Sequence, residues 1–197
     1  MKPAPMQRRS VVRALLKDRG RLLVVAGLGS TAWDCTAAGD SPLTFPLWGA
    51  MGNAAMIGLG LALAQPGRRV LVITGDGEML MGLGSLATIG VQKPRNLSVV
   101  VIDNERYGET GMQATHTASG VDLSTTALAC GFGAAALVRE ARALPALRKA
   151  IHAGAGPLFA QVKVVAEKLP LVLPPREGGV LKSRFRKALL GKAADLD

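Results

Sequence analysis

Two side chains in this sequence are placed to share a metal ion. Asp76 sits in Gly75-Asp76-Gly77, and Asn104 follows Gly77 after 26 residues. Each stands at the end of a short apolar run, and the interval fits one helix plus one strand. The two side chains can therefore meet at neighbouring strand ends. Both offer oxygen, which suits Mg²⁺, an ion that commonly takes one or two protein groups together with phosphate oxygens. Gly75 and Gly77 let the backbone turn sharply and bring N–H groups to an anion. A helix starting after Gly77 would add its positive end. Asp-Gly and Asn are also favoured turn residues, so Gly-Asp-Gly alone says little, and its pairing with Asn104 carries the reading.

Asn104 itself lies in the loop Asp103-Asn104-Glu105-Arg106-Tyr107-Gly108, and two further glycine loops belong with this pair: Ala26-Gly27-Leu28-Gly29-Ser30-Thr31 and Trp48-Gly49-Ala50-Met51-Gly52. Gly27 to Ala32 also fits G-x-G-x-x-A, a dinucleotide fingerprint. That fingerprint needs an acid about 20 positions further on. Residues 45 to 55 contain none, and Asp40 is the nearest. His116, in a polar loop, suits a proton shuttle or a contact to an anionic substrate, and equally suits a surface loop. His152 falls in a predicted helix and reads as incidental. Cys35 and Cys130 lack metal-ligand spacing and read as free thiols. No Ser-His-Asp or Cys-His set is legible.

The elements that must hold these loops alternate between strand and helix. Leu22–Ala26, Val70–Thr74 and Leu97–Asp103 are short, continuous apolar runs, as expected of strands covered on both faces. Ala134–Val138 and Leu158–Val164 are predicted as further strands. Helices are predicted over Arg8–Asp18, Asn53–Ala64, Leu83–Val91, Ser124–Cys130 and Leu144–Ala153. This pattern predicts an α/β fold with a mainly parallel sheet and helices on both faces. Ligands of such sheets collect at the carboxyl ends of the strands. Residues 1–197 read as a single domain, with an extended Pro-rich arm (Leu169–Pro175) in a basic C-terminal region from about 168. A short helix is predicted over Ser183–Leu190.

The chain is 49% hydrophobic, with 24 Lys and Arg against 14 Asp and Glu, a formal charge of +10. Much of the excess lies at the two ends, where it makes either a solvated face or a docking surface for a less basic partner. Apart from Phe185 between Arg184 and Arg186, no aromatics interleave with the basic residues, which argues against nucleic acid. The longest apolar run, around Ile57–Ala64, is too short to span a bilayer. With no signal-like N-terminus, the expectation is a soluble, cytoplasmic protein without nucleic-acid or membrane partners.

Gly75-Asp76-Gly77 with Asn104 resembles the diphosphate-and-metal signature of thiamine-diphosphate enzymes. The segment from Leu47 to Gly60 resembles the loop and helix that cradle the aminopyrimidine. The segment from Asn104 to Thr117 resembles the corresponding stretch of sulfopyruvate and phosphonopyruvate decarboxylases. The resemblance runs from about Arg8 to about Gly191, and the length resembles that of a separate β subunit of sulfopyruvate decarboxylase. It implies a Rossmann-like three-layer fold and two cofactors, thiamine diphosphate and Mg²⁺. By this resemblance Asp76, the Asn104 side chain and the Arg106 carbonyl ligate the metal. Gly75, Gly77, Glu78, Ser30 and Thr31 serve the diphosphate, Gly49 accepts from the pyrimidine amino group, Met51 bends the cofactor, and Tyr107 joins the cofactor-binding set. The Glu78 side chain is expected to turn away from the diphosphate, which it would repel.

The implied activity is decarboxylation of a small anionic 2-oxoacid, of the sulfopyruvate or phosphonopyruvate kind, with His116 as a candidate catalytic group. That cycle needs a glutamate beside the pyrimidine, which the family carries on a separate pyrimidine-binding domain. Residues 1–197 leave no room for such a domain. The expectation is a hetero-oligomer, inactive without a pyrimidine-binding α-type subunit. A carboligase subunit of the acetolactate-synthase kind and a non-catalytic cofactor-binding regulatory subunit remain as alternatives.

Overall fold

The computed structural model describes residues 5–195. The chain runs α1 (Arg8–Leu16), β1 (Leu23–Ala26), α2 (Ser30–Ala37), β2 (Thr44–Pro46), α3 (Ala54–Ala64), β3 (Val70–Gly75), α4 (Asp76–Met81), α5 (Ser85–Gln92), β4 (Leu97–Asp103), β5 (Arg106–Tyr107), β6 (Gln113–Ala114), α6 (Leu123–Ala129), β7 (Ala134–Val138), α7 (Leu144–Ala153), β8 (Leu158–Lys163) and α8 (Gly178–Leu190). Six strands form one sheet in the order β2-β1-β3-β4-β8-β7, and every pairing in it is parallel. β5 and β6 make a small antiparallel hairpin beside it.

The alternation of side chains along each strand sorts the core into two layers. Val24, Leu71, Ile73, Val100, Ile102 and Val162 face one way and pack on Val11 and Leu15 of α1, Cys35 of α2, and Leu147 and Ile151 of α7. Leu23, Val25, Val72, Val99, Val101 and Phe159 face the other way and pack on Leu59 of α3, Leu86 and Ile89 of α5, Ala127 of α6 and Phe185 of α8. Burying each such aliphatic side chain is worth about 1.5–3 kcal/mol. With only 4% aromatics, close approach substitutes for bulk. A Cβ on Gly58 would lie 2.2 Å from Val72 Cγ2, so only glycine lets α3 sit this low on β3.

The five predicted strands form, with ends shifted by a residue or so. Five of these elements lie outside the predicted ranges, the two strands of the β5–β6 hairpin and three others. β2 is three residues ending in a proline, α2 begins inside the glycine loop, and α4 is a single six-residue stretch. The last helix starts at Gly178, five residues before the predicted Ser183, because two glycines in its first turn hide it. The segment between Lys163 and Gly178 has no regular structure. It crosses the carboxyl end of the sheet, where Trp48 Nε1 donates to the Pro175 carbonyl at 2.8 Å and Arg9 to the Pro170 carbonyl at 2.9 Å. Arg8 and Arg9 are not free surface charges. Both pair with the buried Asp34 of α2, at 2.6 and 2.9 Å. Among the described residues no helix is long and apolar enough to cross a membrane.

Candidate functional site

The chain leaves β1 for the outer strand β2 and then returns on the other side of β1 as β3. This reversal opens a crevice at the carboxyl ends of β1 and β3, the position where parallel sheets hold ligands. The parallel register of β3 and β4 sets Gly75 opposite Ile102. Asp76 and Asn104 are thereby delivered from adjacent strands into one cleft, which Ser30, Met51, Gly75, Gly77, Glu78, Arg106 and Tyr107 also line. A Cβ on Gly75 would stand in open space. At Gly77 a Cβ would lie 2.6 Å from the Tyr107 ring, so the ring closes on the glycine backbone.

Asp76 is 2% exposed. Its Oδ2 accepts from Thr115 Oγ1 at 2.5 Å and more weakly from Thr117 Oγ1 at 3.4 Å. Thr117 also donates to Asp103 Oδ1 at 2.8 Å, so two threonine hydroxyls join two buried carboxylates. Burial is the main reason that the Asp76 carboxyl is pushed up to about 6. The Thr115 hydrogen bond opposes this, the Asp103 charge adds to it, and the N–H groups of Asp76 and Asn104 act against it.

Asp103 organises the loop that carries Asn104. Its carboxylate accepts from Glu105 N–H at 3.0 Å, from Gln161 Nε2 at 2.5 Å and from Lys163 Nζ at 2.8 Å. Lys163 also bridges to Glu105 Oε1 at 2.7 Å. One residue on, Asn104 Oδ1 accepts from Arg106 N–H at 2.9 Å. Two successive side-chain turns thus curl residues 103–106, and they hold Glu105 at φ 61°, a conformation that L-residues rarely adopt. Thr115, Thr117, Asp103, Gln161 and Lys163 carried no sequence signal, because they come together only across the sheet.

Glu78 is 4% exposed and is turned toward Thr74, whose hydroxyl donates to Oε2 at 2.7 Å. The same oxygen lies where a side chain at residue 27 would be, 1.9 Å from a Cβ built on Gly27. Burial raises the Glu78 carboxyl, opposed by Thr74 and by the N–H groups of Leu28, Gly52 and Ala54. Glu78 is therefore packed beneath the Gly27 loop, with Oε1 buried and without a hydrogen-bond partner among the described residues, while still bordering the cleft. The wedge candidate Met51 is half-buried and lies between Ala50 at φ 58° and Gly52 at φ 93°. The Glu109 carboxylate rests over Gly29 at the start of α2, where a Cβ would meet Oε1 at 2.5 Å.

Three predicted site residues do not open to this cleft. Thr31 is buried with its hydroxyl turned back to the Gly27 carbonyl at 2.8 Å. Gly49 is exposed on the approach to Met51, and His116 is exposed on the far side of the Thr115–Thr117 pair. A cavity of about 770 Å³ is an apolar groove between α1 and α7. It lies away from the strand ends and holds none of this chemistry.

Residues 29–162 match the thiamine pyrophosphate enzyme, C-terminal TPP binding domain. The chain belongs to this family, and thiamine diphosphate is its cofactor. It is 38% identical over 184 residues to the sulfopyruvate decarboxylase subunit beta of Methanothermobacter thermautotrophicus, an alignment covering 93% of this chain and 94% of that one. It is 46% identical over 111 residues to the phosphonopyruvate decarboxylase of Streptomyces viridochromogenes, covering 56% of this chain but 28% of that one. Among solved structures, a Mycobacterium smegmatis protein described as a thiamin diphosphate-dependent enzyme superposes with a TM-score of 0.70 at 26% identity. That match covers 83% of this chain and 32% of the other, so this chain spans about a third of that enzyme.

Proposed function

We propose that this chain is the diphosphate- and Mg²⁺-holding subunit of a thiamine-diphosphate-dependent 2-oxoacid decarboxylase, acting on sulfopyruvate- or phosphonopyruvate-like substrates with a pyrimidine-binding partner. The observation that carries the reading is the meeting of Asp76 and Asn104 at the ends of adjacent strands in one cleft. The donor set fits the cofactor. One carboxylate, one amide oxygen and the Arg106 carbonyl leave an octahedral ion incomplete, so Mg²⁺ would draw the rest of its oxygens from phosphate and water. No group of three His, Cys, Asp or Glu among the described residues offers a self-sufficient metal cage instead.

When bound, thiamine diphosphate supplies the nucleophilic carbon and the electron sink that let carbon dioxide leave a 2-oxoacid. The chain's own residues bind and orient. Asp76, Asn104 and the Arg106 carbonyl would hold the ion. The N–H groups of Gly77 and Glu78 and the Ser30 hydroxyl would serve the diphosphate, with the start of α4 adding its positive end. Met51 would support the thiazolium side of the cofactor, and Gly49 would offer its carbonyl to the pyrimidine. Thr31 holds the Gly27 turn. The glutamate that must face the pyrimidine comes from the partner, which has to cover the cleft from the Trp48–Gly52 side.

The test is reconstitution. Mixed with a pyrimidine-binding α-type subunit, the chain is expected to release carbon dioxide from sulfopyruvate or phosphonopyruvate only when thiamine diphosphate and Mg²⁺ are present. Full activity from this chain alone would overturn the division of labour. Tight metal-dependent cofactor binding without turnover, with any partner or 2-oxoacid, would make it a regulatory subunit instead.

A further inference from the structure

The turns that enter β1 and β3 carry Arg19-Gly20-Arg21 and Arg68-Arg69. Each turn alone would be an ordinary solvated surface. The sheet, however, pairs Leu23 with Val70, and this brings the two turns side by side. They line one cavity of about 310 Å³, which also takes in Asp18 and His152. Four arginines therefore line one cavity, and none of the ion pairs among the described residues uses any of them. The one acid, Asp18, pairs with Arg148 at 3.5 Å.

Like charges at a surface normally spread into water. Three of these are instead anchored by main-chain oxygens. Arg19 donates to the Leu22 and Leu43 carbonyls at 2.9 and 3.0 Å and to Thr44 Oγ1 at 2.6 Å. Arg68 donates to the Arg21 carbonyl at 2.7 Å and Arg69 to the Ala153 carbonyl at 3.1 Å. The Nε groups of Arg19 and Arg68 are buried without a hydrogen-bond partner. The Arg21 guanidinium has no hydrogen-bond or ion-pair partner among the described residues, and its charge bears on Arg68. The result is a concave set of four cations, three anchored on oxygens and Arg21 unengaged, with one acid that Arg148 already meets.

We infer that this cavity at the amino ends of β1 and β3 binds a multiply charged phosphoryl oxyanion, either free phosphate or the phosphoryl group of a small metabolite. Arginine forks match such tetrahedral oxyanions geometrically, and the cavity admits a phosphate with room for a substituent. The site is separate from the cofactor cleft. Arg21 and Arg69 precede the first residues of β1 and β3, whereas Leu28 and Asp76 follow the last ones, roughly 20 Å further along strands of this length.

The test is a ¹H–¹⁵N titration of the full chain with inorganic phosphate, at constant ionic strength held with chloride. Saturating thiamine diphosphate and Mg²⁺ are present throughout, to occupy the cleft. Saturable shifts are expected in the amides of residues 19–22 and 67–69. Arg21→Gln, which removes a side chain holding nothing else in place, is expected to weaken the apparent affinity roughly tenfold, as for the loss of one charge-assisted contact. Arg21→Glu is expected to abolish it. Arg142→Gln, on an exposed arginine paired to Glu140 elsewhere, is expected to leave it unchanged. A parallel titration with AMP separates the sources: tighter binding than phosphate assigns the site to a phosphorylated metabolite, and equal binding assigns it to phosphate itself. The inference is overturned if no saturable shift occurs, if chloride alone reproduces the shifts, if the cofactor suppresses them, or if Arg21→Glu binds like the parent.

Discussion

Replacing Asp76 by asparagine should stabilise the cofactor-free chain while removing its ability to be stabilised by the cofactor. The folded-state pKa of Asp76 is raised from 3.8 to about 6, so the native state holds this proton more tightly than the unfolded chain does. The sign follows from linkage. Below the unfolded value the carboxyl is neutral in both states and carries no penalty. The penalty grows as pH rises through the window from about 4 to about 6, and is complete above it. A shift of this size corresponds to roughly 3 kcal/mol at 1.36 kcal/mol per unit. Asparagine removes the charge but keeps an oxygen to accept from Thr115, so the net gain at pH 7.5 in EDTA is expected to be about 1–3 kcal/mol. For a chain of this size that is roughly 2–12 °C in Tm, shrinking toward zero near pH 4. Thiamine diphosphate with Mg²⁺ at 100 times Kd should then raise the parent by about 2.7 kcal/mol and leave the D76N variant unmoved, so the gap between the two closes or reverses. Scanning fluorimetry over pH, with and without cofactor and metal, reads both effects. A D76N variant less stable than the parent at pH 7.5 in EDTA, or one still stabilised by the cofactor, would refute the reasoning.

Three other perturbations probe separate parts of the site. Gly77→Ala puts a methyl 2.6 Å from the Tyr107 ring and should weaken thiamine diphosphate binding at least about tenfold, read by fluorescence titration; the change from glycine should cost little intrinsically, since Ala is the better helix former by about 1 kcal/mol. Lys163→Met leaves the fully buried Asp103 without its counter-ion and should lower stability by on the order of 3 kcal/mol in urea unfolding, with partial rescue by Lys163→Arg. Met51→Ala, assayed in complex with the partner subunit, should lower kcat more than tenfold while changing the cofactor KM little. The opposite pattern, a weakened KM with kcat intact, would make Met51 a packing residue.

Much of the fold was legible because it rests on local patterns. Continuous apolar runs mark buried parallel strands, and their alternation with helical spacing leaves few other folds. Gly75-Asp76-Gly77 and Asn104 were legible for the same reason, since one strand-helix-strand unit fixes their separation. α2 and α4 were not, because short helices at loop ends owe their shape to what packs on them rather than to periodicity.

The sequence by itself determined the class of the chain and its cofactor chemistry, and it singled out the pair of oxygen-bearing side chains proposed as ligands. All of these depend on residue type and spacing within a few tens of positions. The tertiary structure alone decided how those groups are held and which of them face the cleft. Thr115 reaches Asp76 across 39 positions, and Lys163 meets Asp103 across 60. The turns at Arg21 and Arg68 become one cavity only because β1 and β3 are neighbours. Such contacts depend on sheet order and on rotamers set by burial, and no local pattern records either. That is also why Thr31 turned inward and His116 outward while Asp76 lines the cleft.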